Sequence, residues 1–206
     1  MSFSDDELRS LGFGIEHFDH QEAFEQALPT PMNLARFVDG RIGRRTIQGG
    51  DLFFIELVTQ PYVNSHVRVV RWWIHLRHPA FAGKAYVTSR GWRTFVVEPR
   101  LSRRLLQFLF MVVLVVPILL VTLLTLFSRD KNRLRFGGVF DRHFKVHSAT
   151  PEKAMDLLTP ERRKTLVESD LIESLQFSDG ITVGITNTNR VEPVCRTLEN
   201  LASCRG

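Results

Sequence analysis

From Leu105 to Phe127 the chain reads LLQFLFMVVLVVPILLVTLLTLF, twenty-three residues without a charge. Only Gln107, Pro117, Thr122 and Thr125 are not strongly apolar. As a helix rising about 1.5 Å per residue it would be about 35 Å long, enough for a hydrocarbon core of about 30 Å. Its Leu, Ile, Val and Phe residues each favour insertion by roughly 0.3–0.6 kcal/mol at the bilayer centre, which together outweighs one Gln and one Pro. A helix at the edge of a water-soluble core needs a polar outer face, and this run lacks one. The segment is read as membrane-inserted, with Leu105, Phe110, Pro117, Leu120 and Phe127 among the inserted residues.

Both flanks are basic. Arg93, Arg100, Arg103 and Arg104 precede the segment; Arg129, Lys131, Arg133 and Arg135 follow it. Basic loops resist translocation, so both flanks favour the cytoplasmic side. A hairpin turning near Pro117 satisfies both, but its arms are short and its turn needs cover at depth. A kinked single span fits the length and violates the charge rule on one side. The N-terminal MSFSDDELRS is acidic and has no apolar core, so it does not read as a signal peptide. The expected location is a bacterial-type inner membrane, with the remaining residues on its cytoplasmic face.

Between residues 61 and 104 stand nine Lys or Arg residues and one acid, Glu98, interleaved with Trp72, Trp73, Tyr86 and Trp92. Such a mixture suits single-stranded nucleic acid. It equally suits a headgroup layer, where Trp, Tyr, Lys and Arg anchor a protein against anionic lipid. The adjoining apolar run decides for lipid and against nucleic acid. The interfacial residues are then Arg71, Trp72, Trp73, Trp92, Arg93, Arg100, Arg103, Arg104, Arg129, Lys131 and Arg133.

Chemistry-bearing motifs are sparse. No P-loop, Rossmann glycine pattern or Gly-x-Ser-x-Gly occurs. His17/His20 and His75/His78 show H-x-x-H spacing without the Glu of a zinc protease, and read as surface histidines. His143, Lys145 and His147 read as one solvated strand face. The two cysteines, Cys195 and Cys204, lie nine apart on one expected helix, so they point to opposite sides and read as unpaired thiols. No metal, cofactor or catalytic residue is assigned, and the chain is read as non-enzymatic.

The expected fold is α+β: a mostly antiparallel sheet with short helices, interrupted by the membrane segment. Residues 1–35 form an acidic helical segment. Ser4 and Glu7 make a capping box, and Phe13, Phe18, Phe24 and Leu28 a second amphipathic stretch. Residues 36–100 are the β-rich first part of the domain. Turns are expected at Asp39-Gly40, Gly49-Gly50-Asp51 and Pro61–Ser65, and strands over 52–59, 67–76, 85–87 and 94–97. Residues 101–130 hold the membrane segment. Residues 131–206 are the second part: a strand over 136–147, then two abutting helices announced by Thr150-Pro151-Glu152 and Thr159-Pro160-Glu161. A hairpin about Asp179-Gly180 and a last helix over 193–203 close it.

FVDGRIGRRTIQGGDLFFIEL, FAGKAYV, VFDRHFKVHSATPEKAMDLLTPE and LQFSDGITVGI followed by VEP are similar to the bacterial family called domain of unknown function 3137, over residues 36–194. The resemblance implies no activity and no site residues. It does imply that the pieces on either side of the apolar segment form one folded unit. The chain departs from the pattern by placing that segment inside the unit rather than ahead of it.

The expected function is a membrane-anchored scaffold or accessory subunit, which presents a cytoplasmic domain to a protein partner or to itself. The alternatives are an oligomerising channel or lesion-forming protein and, third, an enzyme at the membrane surface. Gln107, Thr122 and Thr125 share one helical face, thin for a channel lining and equally suited to a helix–helix contact.

Overall fold

The computed structural model describes residues 3–31, 34, 36–60, 68–89 and 133–204. The apolar segment lies outside the described residues, as do its flanks up to 132, the Pro61–Ser65 turn and the 94–97 strand. Every described strand joins one sheet: β1 (Gly14–Phe18), β2 (Phe37–Ile47), β3 (Gly50–Thr59), β4 (Val69–Arg77), β5 (Lys84–Ser89), β6 (Arg133–Leu134), β7 (Phe144–His147), β8 (Ile172–Ser178) and β9 (Ile181–Thr186). The order is β1-β2-β3-β4-β9-β8-β5-β7-β6, antiparallel at each pairing. The helices are α1 (Asp5–Ser10), α2 (Gln21–Ala27), α3 (Phe140–His143), α4 (Pro151–Leu157), α5 (Pro160–Ser169) and α6 (Val191–Ser203). The α+β, antiparallel, short-helix architecture is the one expected.

The pleat sorts the side chains. Leu52, Phe54, Ile74, Leu76, Val183, Ile181, Leu175, Val87 and Val146 occupy one face and bury the main core beneath α1 and α3–α6. Phe53, Ile55 and Leu57 face the other way, into a second core with Phe18, Ile42 and Phe24 of α2. β3 is therefore largely apolar on both faces, which explains the continuous hydrophobic run Leu52–Ile55. The β2–β3 turn falls at Gln48-Gly49, where Gly49 takes φ +81°. Ser4 accepts a hydrogen bond from the Glu7 amide, and Thr159 one from Arg162, as the capping signals predict.

Three local expectations are corrected. Asp39-Gly40 is not a turn; β2 continues through it, with a shift of register between Phe37 and Asp39. Gly40 is there because a Cβ would stand 2.6 Å from the buried Phe24 ring. Residues 14–18, read as part of a helical stretch, form β1; Phe13 just before it and Phe18 at its end enter opposite cores. Finally, 136–147 is not one strand. Gly137 and Gly138 adopt φ of +81° and +65°, and Asp141 accepts the amides of Phe136 and Gly137. The loop feeds α3 before β7 begins, yet Phe140, Phe144 and Val146 are buried as expected.

Candidate functional site

The two ends of the sheet carry opposite charge. At the β1 edge, Asp6, Glu7, Glu16, Asp19, Glu22 and Glu25 are exposed on α1, β1, the loop after it and α2. At the far edge, β6, α3 and β7 bring together Arg133, Arg135, Arg142, His143 and Lys145. Among the described residues, none of these four Arg and Lys residues forms an ion pair. Nine strands at about 4.8 Å set the two edges nearly 40 Å apart.

The apolar segment lies between β5 and β6, within the basic half. Ser89 ends β5 opposite Phe144, and Arg133 opens β6 opposite His147, which also faces Tyr86. Two strand spacings and three residues therefore separate Ser89 from Arg133, about 14 Å.

Of the expected interfacial residues, Arg71, Trp72, Trp73 and Arg133 are described. Arg71 is exposed and Arg133 half-buried. The two tryptophans serve the cores. Trp72 packs edge-on to Phe3 at 5.3 Å and stacks on Phe54 at 6.3 Å, and Trp73 lies against the second core. Trp92, Arg93, Arg100, Arg103, Arg104, Arg129 and Lys131 lie outside the described residues, with the inserted set Leu105, Phe110, Pro117, Leu120 and Phe127. The structure thus brings Arg133 together with Arg135, Arg142 and Lys145, and leaves Arg71 on a different strand.

An ionic cluster at the acidic end went unread in the sequence. Arg41 of β2 is buried and donates to Glu56 of β3 at 2.9 and 3.1 Å and to Asp5 of α1 at 2.5 Å, and also to the Phe3 carbonyl. His17 of β1 meets the same Asp5 at 2.7 Å. The His17 hydrogen bond, helped by Arg41, holds the Asp5 carboxyl below its usual range against the opposing effect of burial. Burial also opposes the Arg41 charge, but Glu56 and Asp5 outweigh it, so the guanidinium holds its proton more firmly than usual. Arg41, Glu56 and His17 border a cleft of about 660 Å³ with Asp19, Asp39 and Val58. Within the cluster Arg41 pairs with both Glu56 and Asp5, and through Asp5 this ties α1 to the sheet.

His75 corrects the surface reading of its H-x-x-H pair. It is 0% exposed, its Nδ1 lies 2.9 Å from Thr182 Oγ1, and its Nε2 has no partner. Burial, reinforced by the Arg77 charge, lowers its pKa to about 4, so it is neutral near pH 7. His17, His20 and His143 are exposed. Cys195 is buried, with its thiol pushed up to about 11 by burial, while Cys204 is half-buried; the two are unpaired.

Comparison of the chain with protein-family models, curated proteins and solved structures finds no match.

Proposed function

We propose that the chain is a membrane-anchored scaffold whose α+β domain sits on one side of the bilayer with its basic edge toward the lipid and its acidic edge toward a protein partner. The observation that carries this reading is the position of the apolar run, inserted between two strands of the basic half of one sheet. Both ends of the insertion are tied to that sheet, about 14 Å apart. From Phe127 to Arg133 the chain can reach at most about 20 Å. That is too short to recross a core of about 30 Å. The preceding stretch, 90–104, carries Arg90, Arg93, Arg100, Arg103 and Arg104 and is a poor candidate to cross in its place. Insertion and return through one leaflet, turning near Pro117, reconciles the apolar run with a sheet that needs both flanks.

The acidic surface on α1, β1 and α2 then points away from an anionic membrane, where it can meet a basic partner. The test has two parts. Full-length protein should remain with membranes through high-salt and carbonate washes, because apolar insertion does not depend on ionic strength. Removing residues 105–127 should yield a soluble, folded protein, since the twenty residues of 90–104 and 128–132 still reach from β5 to β6. Full-length protein in the wash supernatant overturns the anchoring. A partner that co-purifies in mild detergent should be lost when Glu16, Asp19, Glu22 and Glu25 are changed to Lys; its retention overturns the acidic edge as the docking face.

A further inference from the structure

We infer that the Phe136–Val139 loop is a second, built contact with the membrane, seating Val139 in the headgroup layer of an anionic bilayer. The inference rests on the anchoring proposed above. Four observations converge on it. Val139 is 56% exposed, one of only two large apolar side chains so exposed among the described residues. A single exposed Val needs no explanation by itself, but this one is held out on a braced backbone. Gly137 and Gly138 turn the chain with positive φ, the Asp141 carboxylate accepts two loop amides, and Arg163 donates to the Phe136 carbonyl while lying 4.9 Å over its ring. Phe136, Phe140 and Phe144 pack inward one against the next, edge-on at 5.7 Å and tilted at 5.2 Å, leaving Val139 outside.

The surroundings are cationic. Arg135, Arg142 and His143 are exposed around the loop and Arg133 is half-buried. The one acid in this stretch, Asp141, is occupied with the loop amides. An apolar tip ringed by arginines suits phosphate headgroups above acyl chains, each basic residue near the surface adding about 1 kcal/mol. Placement agrees as well. Ser89 pairs with Phe144, so the chain leaves β5 toward the apolar segment at the same strand end that carries this loop. Met155, the other exposed apolar residue, belongs to α4, which packs by Gly83 at the start of β5, the opposite strand end.

The experiment uses the full chain with Cys195→Ala and Cys204→Ser, carrying either Val139→Cys or Met155→Cys, labelled with an environment-sensitive fluorophore. The protein is reconstituted into vesicles of phosphatidylglycerol and phosphatidylcholine containing headgroup-region nitroxide lipid. The label at 139 should be quenched severalfold more than that at 155, and its emission should shift to the blue. Arg135→Glu with Arg142→Glu, or pure phosphatidylcholine, should lower quenching at 139 to the level seen at 155 while the vesicles still carry the protein on flotation. Equal quenching at the two positions in floating protein overturns the inference and leaves the anchor standing. Strong quenching at 139 that ignores lipid charge overturns the anionic specificity. Protein that fails to float overturns both.

Discussion

Ser89 and Phe144 face each other across β5 and β7, although the apolar segment lies between them in sequence. Strand pairing at about 4.8 Å admits no bilayer between partners. On the anchoring proposed above, the described residues before and after the segment lie on one side of the bilayer. Ser10→Cys and Met155→Cys, each in a background without Cys195 and Cys204, report on the two halves at exposed positions. In spheroplasts expressing the protein, a membrane-impermeant maleimide should label neither until the membrane is permeabilised, and then both. Labelling of one half alone would require the sheet to be broken.

The Arg41–Glu56 pair is buried on both sides, so its removal is asymmetric. Glu56→Ala removes the bidentate carboxylate from a desolvated guanidinium and should cost about 3–5 kcal/mol. Replacing both by apolar residues of similar volume, Arg41→Met with Glu56→Leu, removes the stranded charge and should cost less than the single change. Urea unfolding in mild detergent reads both. A double variant less stable than Glu56→Ala would show that the contacts to Asp5 and Phe3 dominate the cluster.

Much of this architecture was legible because its causes are local. Ser4 with Glu7, and Thr159 before Pro160, announced helix starts through groups three residues away. Gly49 announced a hairpin through its own φ. The Arg41–Glu56 pair carries a signal of the same kind. Counting outward in equal steps from Ile47 and Gly50 lands on these two residues, a buried cation opposite a buried anion. The remaining differences have distant causes. Gly40 mimicked a turn because the reason for its missing side chain, the Phe24 ring, lies sixteen residues away in sequence. His75 read as a surface residue between Trp73 and Arg77. Its cover includes the β8–β9 hairpin, where a Cβ on Gly180 would stand 2.9 Å from the imidazole. The tryptophans of β4 read as lipid anchors because sequence shows that they are aromatic and not that Phe3 and Phe54 await one of them.

His75 gives the fold a pH dependence with a definite sign. Its pKa falls from 6.5 to about 4 on folding. The unfolded chain thus binds the proton more readily, and the stability is fully present above about pH 6.5. It declines as pH falls toward 4 and levels off below, by about 3 kcal/mol in all for this group. The shifted carboxyls of Asp5 and Asp51 act below their ordinary range of about 4, under most of this window. Denaturant midpoints should fall between pH 6.5 and 4.5 for the native sequence. His75→Gln should start less stable and show a shallower fall. An unchanged slope would mean that the imidazole gains a partner when protonated.

Arg162 closes the opposite end of the core without any carboxylate. Its guanidinium donates to the carbonyls of Leu157, Leu201 and Cys204, at 3.0, 3.2 and 3.4 Å, and lies 4.5 Å over the Phe81 ring. Leu157 ends α4, and Leu201 belongs to the last turn of α6, so these are carbonyls that a helix leaves without an internal partner. The cation also sits where both helix dipoles are negative. Burial lowers the Arg162 pKa, but the group stays charged at every physiological pH. Arg162→Met keeps the apolar stem and removes all three donors, so it should cost about 2–4 kcal/mol. Hydrogen exchange distinguishes the cause: amides in the last turns of α4 and α6 should lose more protection than those of β3. Uniform loss across the sheet would instead assign the cost to packing over Phe81.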